Sequence, residues 1–279
     1  MRRFLTTRVD LWEVLLIVAF VLLLVYGLRP APFPEVQSAS EIDEFRRKYG
    51  PHHNSEREEE WLVRDFFNDR RGGIFVDVGA NHYRTASKTY YLESVLGWSG
   101  IAIEPLKEFA ADYARHRPRT RFFPVFVSSV SDQTAKLYVL RDQSSVSSSN
   151  EAFVRQFGTP DEVRTVPTVA LSDLLDRERI DRIDFLSMDI ELHEPQALKG
   201  FDIDRFKPAL VCIEALKPVR QQILDYFASH GYVLEGRYIW VDRENFYFKP
   251  LPSASARHPE RASEGESIGA HGGRSSTIH

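Results

Sequence analysis

Four side chains that can take up protons or bind metal ions lie close together in the segment MDIELHE. They are Asp189, Glu191, His193 and Glu194. If the segment is extended, Asp189, Glu191 and His193 project from one face, because side chains alternate along a strand. Carboxylates and histidines are common general bases, and carboxylates bind hard divalent cations. The segment therefore predicts a reaction centre with Asp189, Glu191 and His193 as its catalytic candidates.

Carboxylates at this spacing repel one another, and either a bound cation or a raised pKa would relieve the repulsion. The sequence leaves both possibilities open, with Asp189 and Glu191 as the ligands of any metal. Glu194 precedes a proline, so it also fits the first turn of a following helix, where an acidic side chain is favourable. Glu214 ends a later apolar run and could face the same centre.

A second group of polar residues follows the apolar stretch GIFVDVGA. Asp77, Gly79 and Asn81 lie where this stretch ends, and Glu104 ends the next apolar run, GIAIEP. Ligands of parallel sheets bind at the carboxyl ends of the strands. Gly79 would let the main chain approach a ligand, and the Glu104 carboxylate can accept hydrogen bonds from both hydroxyls of a ribose. The pattern favours a nucleoside site, although a strand-to-helix turn with polar caps is the alternative.

The turn after the first strand lacks the glycines of a dinucleotide-binding loop. The pattern G-x-G-x-x-G brings helix and strand together over a pyrophosphate, whereas this chain reads GANHYR, with Tyr83 in the loop. A nicotinamide dinucleotide, and with it an oxidoreductase, is therefore disfavoured. A nucleoside without phosphates needs a less close approach of the backbone, and S-adenosylmethionine is such a ligand.

Apolar strands and amphipathic helices alternate along the middle of the chain. The predicted strands are GIFVDVGA, GIAIEP, RFFPVFVSS, AKLYVL, IDFLSMDIE and PALVCIEAL, and the predicted helices are SEREEEWLVRDFFNDR, TASKTYYLESVLG, LKEFAADYARHR, LSDLLDRERI and VRQQILDYFASHG. Continuous apolar strands separated by helices indicate an α/β domain with a doubly wound, mostly parallel sheet. Two strands in the last segment, YVLEGRYIWVDRENFYFKP, are close enough in sequence to form an antiparallel pair.

The two ends of the chain differ from the middle. Residues 1–30 contain the apolar run 11–28, whose length of about 27 Å as a helix suits a membrane anchor. A cleaved signal peptide is the rival interpretation, but a small-residue cleavage site is poorly formed. Residues 31–48 are predicted to be an extended, proline-rich linker, residues 49–252 the folded domain and residues 253–279 a disordered tail.

Composition excludes several classes of protein. The 279 residues carry a net charge of −4, so we expect no nucleic-acid partner. Cys212 is the single cysteine, which excludes an internal disulfide and a cysteine metal cluster. Its apolar neighbours predict a buried thiol.

Two blocks of the sequence resemble the FkbM-type methyltransferases. The block FVDVGANHYRTASKTYYLESVLGWSGIAIEP is similar to the family's D-x-G-A, S-x-T-x-x-L-E and L-G-W-x-G-I-x-I-E-P stretches. The block VPTVALSDLLDRERIDRIDFLSMDIELHEPQALKGFDIDRFKPALVCIE is similar to T-L-x-D-L-L, I-D-x-L-S-x-D-x-E-G-x-E and L-x-G-F. The resemblance extends over residues 49–250 and implies a Rossmann-like class I methyltransferase fold with S-adenosylmethionine as the cofactor.

The resemblance also implies roles for individual residues. Those at the ends of the first two strands would contact the methionine, ribose and adenine parts of the cofactor: Asp77, Gly79, Asn81, Glu104 and Pro105. Ser129 and Asp132, in the stretch VSSVSD after the third strand, are placed near the adenine by topology alone. Asp189 and Glu191 match the family's D-x-E, whereas His193 has no counterpart there.

Tyr83 and Leu192 stand where many members of the family have glycine. The loop over the methionine end of the cofactor and the loop beside the reaction centre are therefore expected to be bulkier than in those members. Cofactor binding can survive this change, while the acceptor pocket is expected to differ. The two departures also motivate an alternative, a membrane-tethered binding or scaffold protein without catalytic activity on a methyltransferase fold.

The sequence predicts a membrane-anchored, S-adenosylmethionine-dependent methyltransferase that acts on a hydroxyl of a sugar, a glycolipid or another small or lipid-linked acceptor. A divalent cation is possible. Three arginines before the apolar run and one soon after it favour an external domain. The cofactor is made in the cytoplasm, however, so we expect a single-pass protein with its catalytic domain on the cytoplasmic side.

Overall fold

The computed structural model describes residues 34–252, which fold around a seven-stranded sheet with the order β3-β2-β1-β7-β8-β10-β9. A smaller sheet has the order β4-β6-β5. The strands are β1 Ile74–Val78, β2 Ser99–Ile103, β3 Thr120–Phe123, β4 Phe126–Ser128, β5 Thr134–Val139, β6 Glu162–Ala170, β7 Phe185–Met188, β8 Leu210–Glu214, β9 Tyr232–Leu234 and β10 Asn245–Pro250.

Helices connect most of these strands. They are α1 Pro34–Tyr49, α2 Glu59–Phe67, α3 Tyr90–Ser94, α4 Ala110–His116, α5 Glu151–Val154, α6 Leu171–Arg177, α7 Glu194–Lys199, α8 Ile203–Phe206 and α9 Arg220–Ser229. Short 3-10 helices occupy Lys107–Phe109, Arg141–Val146 and Tyr238–Trp240.

The large sheet is parallel except for β10, which runs antiparallel to both β8 and β9. This confirms the predicted doubly wound sheet with antiparallel strands at its C-terminal end. From β1 the chain first adds β2 and β3 on one side and then crosses to β7 and β8 on the other. The strand order therefore reverses between β1 and β7, and in open α/β sheets this switch point is where ligands bind.

Alternation along the strands divides the core between the two faces of the large sheet. In β1, Val76 and Val78 face one apolar cluster, whereas Phe75 belongs to the cluster on the opposite face. In β8, Ile213 and Cys212 divide in the same way, and Cys212 is fully buried as predicted. Because both faces are covered, these strands read as continuous apolar runs in the sequence.

The segment RFFPVFVSS, predicted as one strand, forms two strands in different sheets. Proline cannot donate a ladder hydrogen bond, and the chain leaves the large sheet at Pro124, between β3 and β4. The nine-residue strand β6 then pairs with β4 in parallel and with β5 antiparallel. The sequence analysis did not predict β6, because its segment EVRTVPTVA contains two charged residues and a proline among short apolar runs.

The predicted linker, residues 31–48, is largely helical where the structure describes it. Helix α1 begins at Pro34 and ends at Tyr49. Phe45 has 1% of its surface exposed and belongs to the apolar cluster that also holds Trp61 and Trp98. The prolines that suggested an extended spacer lie at or before the first turn, where proline is compatible with a helix. The folded domain therefore begins before residue 49.

Within residues 34–252, no helix has both the length and the apolar character needed to cross a bilayer. The predicted membrane anchor, residues 1–30, and the predicted tail, residues 253–279, both lie outside the described residues.

Phe45→Ala should lower the free energy of unfolding by about 3 kcal/mol, because it removes a buried aromatic ring from the core. Urea denaturation of the full-length chain measures this change. Arg47→Ala, an exposed position on the same helix, is the control and should change stability by less than about 0.5 kcal/mol. Equal, small effects of both substitutions would mean that α1 does not pack on the domain.

Candidate functional site

A cavity of about 690 Å³ opens at the carboxyl ends of β1, β2, β7 and β8, at the switch point of the large sheet. Its walls include most of the residues that the sequence analysis proposed as functional. They are Asp77, Gly79, Asn81, Glu104, Pro105, Asp189, Glu191 and Glu214. The structure thus brings the predicted nucleoside site and the predicted reaction centre into the same cavity.

Gly79 is where the ends of β1 and β7 come closest. Its φ is +81°, and a Cβ atom there would lie 1.8 Å from the carbonyl oxygen of Asp189. The amide of Asp189 in turn donates a 2.9 Å hydrogen bond to the carbonyl of Val78. Both the backbone conformation and the close approach require glycine at this position. Because Gly79 has no side chain, the two strand ends can pack closely and a ligand can approach the backbone.

The Glu104 carboxylate is buried at the end of β2 and held by two backbone amides. Its Oε1 atom accepts a hydrogen bond of 2.9 Å from the amide of Leu106, and Oε2 accepts one of 3.1 Å from the amide of Asn81. Burial raises the pKa of Glu104 to about 7. Each oxygen keeps one free acceptor direction, so the group can still bind two hydroxyls from the cavity side.

Apolar residues line the cavity next to Glu104. Pro105, Val125, Phe126, Val127 and Leu137 form this wall. Ser129 and Asp132, which were expected to approach an adenine, are not among the cavity-lining residues of the described chain. The Asp132 side chain is 82% exposed and pairs with Arg177 at 3.4 Å. The expectation assumed that one strand continued past Pro124, whereas the chain turns there into the small sheet.

Tyr83, the first departure from the family's glycines, turns away from the cavity. Its ring stacks on His116 of α4, with the ring centroids 4.6 Å apart, and its carbonyl accepts a 2.9 Å hydrogen bond from Arg117. Arg117 is buried and also pairs with Glu93. The Tyr83 side chain therefore packs on α4 and does not reduce the space in the cavity, although a bulkier loop was expected.

Three carboxylates converge at the ends of β7 and β8. One oxygen from each of Asp189, Glu191 and Glu214 lies within 4.8 Å of the others. Burial, together with the charge of Asp189, raises the pKa of Glu191 to about 9 and that of Glu214 to about 10. At neutral pH, simultaneous ionisation of all three carboxyl groups is therefore unfavourable unless a positive charge lies among them.

Lys88 is a buried cation in this cluster that the sequence analysis missed. Its Nζ donates hydrogen bonds to Asp189 Oδ2 at 2.7 Å and to Asn245 Oδ1 at 3.4 Å. Burial opposes its charge, but the carboxylate of Asp189 raises the pKa of Lys88 well above its usual value. Lys88 lies in a polar loop segment, ASKT, so its sequence neighbours suggest a solvated side chain. Lys88 contacts Asp189 and Asn245 only because the fold brings β1, β7 and β10 together.

His193, a predicted catalytic residue, is not among the cavity-lining residues of the described chain. Its ring nitrogens are 3.1 Å from the hydroxyls of Ser128 and Ser149, and the ring packs on Phe126. Burial lowers the pKa of His193 to about 4, so the ring is neutral at neutral pH. The expectation that His193 faces the reaction centre came from treating MDIELHE as extended, and this segment turns sharply after Ile190.

Glu194 lies in the first turn of a helix, which is the structural alternative that the sequence analysis left open. It begins α7 and is fully buried, and its Oε1 accepts a 3.0 Å hydrogen bond from the amide of Ile190. Burial raises the pKa of Glu194 to about 8. The side chain therefore closes the turn that carries Glu191.

The turn after β7 depends on two consecutive residues with left-handed backbone. Glu191 has φ +55° and Leu192 has φ +73°. The family's glycine at position 192 matches this conformation, which costs about 1 kcal/mol for a residue with a side chain. Leu192 packs against two apolar clusters of the core, and this contact offsets the strain. The turn directs Glu191, rather than His193, into the cavity.

The part of the cavity beyond the carboxylates is lined by hydroxyl and aromatic groups. Ser144, Ser145 and Ser147 come from the 3-10 helix after β5 and the residue that follows it, and Phe153 and Phe157 come from α5 and the residues that follow it. Ser144 also contacts Asn81, with its Oγ 3.3 Å from Asn81 Nδ2. Three serines of the segment DQSSVSSSN therefore line the cavity.

Comparison with known proteins identifies the family. The family described as the methyltransferase FkbM domain matches residues 77–234, which is more than half of the chain. The chain therefore belongs to the FkbM methyltransferase domain family, as its two motif blocks suggested. A search of curated proteins found no match.

Solved structures with a similar chain path include several methyltransferases. A TehB-like S-adenosylmethionine-dependent methyltransferase from Corynebacterium glutamicum is 12% identical, with coverage of 79% of this chain and 100% of that chain and a TM-score of 0.39. An S-adenosylmethionine-dependent methyltransferase from Geobacter sulfurreducens in complex with S-adenosylhomocysteine is 10% identical, with 76% and 98% coverage and a TM-score of 0.37.

Leu192→Ala and Leu192→Gly test the strained turn together. Both substitutions remove the packing of the leucine, and Leu192→Ala should cost about 2 kcal/mol of unfolding free energy. Leu192→Gly also relieves the left-handed strain, so we expect it to be more stable than Leu192→Ala by about 1 kcal/mol in urea denaturation.

The same pair of substitutions at Gln222, an exposed position within α9, is the control. There the order should reverse, because glycine is less favourable than alanine in a helix by about 1 kcal/mol. A Leu192→Ala protein that is the more stable of the two would contradict the left-handed conformation.

Proposed function

We propose that this protein is an S-adenosylmethionine-dependent methyltransferase that methylates a hydroxyl oxygen. The observation that carries the proposal is that Glu104 and the carboxylate cluster of Asp189, Glu191 and Glu214 line the same cavity. Glu104 lies at the end of β2, two strands away from β7, which corresponds to about 10 Å across a sheet. A nucleoside with an amino-acid tail can bridge this distance.

The residues present fit the cofactor. The two free acceptor directions of Glu104 suit the two hydroxyls of a ribose, and the wall of Pro105, Val125 and Leu137 suits the flat, apolar faces of an adenine. The loop at Gly79 and Asn81 continues the same wall toward β7. No helix of the described chain begins at this loop with the glycines that a pyrophosphate requires, which agrees with a ligand that lacks phosphates.

The reaction we propose uses the carboxylates as the acceptor's partners. Bound S-adenosylmethionine supplies the methyl group. As the acceptor oxygen bonds to the methyl carbon, the bond between that carbon and sulfur breaks. Asp189, the partner of Lys88, accepts the proton of the hydroxyl, and Glu191 and Glu214 orient the hydroxyl through hydrogen bonds. Lys88, bonded to Asp189, holds that carboxylate in place.

The acceptor we propose is a sugar hydroxyl on a glycan or a lipid-linked precursor. Carboxylates and serines suit the hydroxyls of a sugar, and the exposed ring of Phe157 at the cavity suits its apolar face. The apolar run of residues 11–28 would hold the domain at the cytoplasmic side of a membrane, next to a lipid-linked acceptor.

Binding of S-adenosylhomocysteine should depend on pH through Glu104. Ribose hydroxyls donate to the ionised carboxylate, and its pKa is about 7 in the free protein. Affinity should therefore level off above pH 7 and fall about tenfold for each pH unit below it, because the proton competes with the ligand. Calorimetry on the full-length chain measures this dependence. The range from pH 5.5 to pH 8.5 extends about 1.5 units on each side of that pKa.

Glu104→Gln should weaken binding at pH 8 and remove the pH dependence, since it has no ionisable group. Glu44→Gln is the control, because this exposed carboxylate pairs with Arg237 at 3.2 Å outside the cavity. A folded protein that binds neither S-adenosylmethionine nor S-adenosylhomocysteine at any pH would reject the proposed function and favour the binding-protein alternative.

A further inference from the structure

The carboxylates of Asp189, Glu191 and Glu214 come from two separate parts of the chain, the turn after β7 and the end of β8, and meet at one point. Met188 pairs with Ile213 across the parallel strands β7 and β8, so the residues that follow them, Asp189 and Glu214, are neighbours. The turn after β7 returns Glu191 to the same place. One oxygen from each residue lies within 4.8 Å of the others.

Glu214 gives an independent sign that a ligand belongs at this point. Its side chain lines the cavity although only 8% of its surface is exposed. Its Oε2 atom is buried and has no hydrogen-bond partner within residues 34–252. A buried carboxylate oxygen without a partner costs free energy, and native proteins seldom leave one unless something else binds it.

A cation would suit the charges around the cluster. Carboxylates this close together repel one another when ionised, and Lys88 compensates only Asp189, through its 2.7 Å hydrogen bond to Asp189 Oδ2. A divalent cation would supply positive charge to Glu191 and Glu214 as well. Lys88 occupies one oxygen of Asp189, which leaves the second oxygen for another partner.

We propose that Asp189, Glu191 and Glu214 bind one hard divalent cation, Mg²⁺ or Mn²⁺, beside the acceptor hydroxyl. An all-oxygen donor set is what these cations prefer. At a metal–oxygen distance of about 2.1 Å, opposite ligands of an octahedral ion lie about 4.2 Å apart, which the spacing of the three oxygens accommodates.

The role of the cation rests on the proposed methyl transfer. A coordinated hydroxyl loses its proton more readily. Because the three carboxylates are then metal ligands, the proton passes to a water molecule instead of to Asp189. The oxygen bonds to the methyl carbon, and the bond from that carbon to sulfur breaks to leave S-adenosylhomocysteine.

Titration of Mn²⁺ into the full-length chain, followed by the electron paramagnetic resonance signal of free Mn²⁺, tests the site without any cofactor. We expect one saturable site per chain, and at least about a tenfold loss of affinity in Glu214→Gln, because an amide lacks the ligand charge. Glu244→Gln is the matched control. Glu244 faces the same cavity but lies outside the cluster and pairs with Arg57 at 2.9 Å.

Equal Mn²⁺ affinity in the wild type and in Glu214→Gln would overturn the proposal, as would no saturable binding up to about 5 mM, a concentration beyond weak protein sites. If Glu214→Gln does not fold, Glu191→Gln provides the same comparison at a partly exposed position. Mn²⁺ should also raise the melting temperature of the wild type and not that of the variant.

The cofactor site and the cation site can fail separately in this experiment. Glu214→Gln should keep S-adenosylhomocysteine binding while it loses Mn²⁺, and Glu104→Gln should show the reverse. Mn²⁺ binding without any S-adenosylhomocysteine binding would reject the proposed function and leave the cation site standing. S-adenosylhomocysteine binding without Mn²⁺ binding would reject the cation site alone.

Discussion

The contact between Gly79 and the backbone of Asp189 is the constraint on which the site depends. Strands β1 and β7 stay paired to their ends only because Gly79 has no Cβ, which would lie 1.8 Å from the Asp189 carbonyl. This contact fixes the switch point of the sheet and sets where the chain leaves both strands. Glu104 on one side and the carboxylate cluster on the other consequently open into the same cavity. A separation of the two strand ends would move both halves of the site.

Charge burial is the second feature that organises the site. Asp189, Glu191 and Glu214 meet where the protein offers Lys88 as a counter-charge. Buried like charges raise one another's pKa and cost stability, so a cluster of this kind requires a reason to persist. Binding and activation of an acceptor hydroxyl, as proposed above, would supply that reason.

The two departures from the family's glycines have opposite consequences. The Tyr83 ring stacks on α4 and leaves the cavity unobstructed. Leu192 keeps the left-handed conformation that glycine would adopt easily and offsets the strain by packing into the core. Leu192 also lines the cavity next to Glu191, so it narrows the space that a glycine would leave open. Under the proposed function, Leu192 would affect the choice of acceptor, whereas Tyr83 affects packing alone.

The sequence by itself determined the parallel sheet and its antiparallel end, because these follow from local periodicity and from the order of strands and helices. It also placed Asp77, Gly79, Asn81, Glu104 and Pro105 at the ends of strands, where the structure finds them lining the cavity. The tertiary structure decided the rest, since Lys88 and Glu214 reach Asp189 only across strands distant in sequence. The turn after β7 keeps His193 out of the cavity, and the change of sheet at Pro124 keeps Ser129 and Asp132 out of it. Burial of Phe45 makes α1 part of the core. All three outcomes are consequences of tertiary packing.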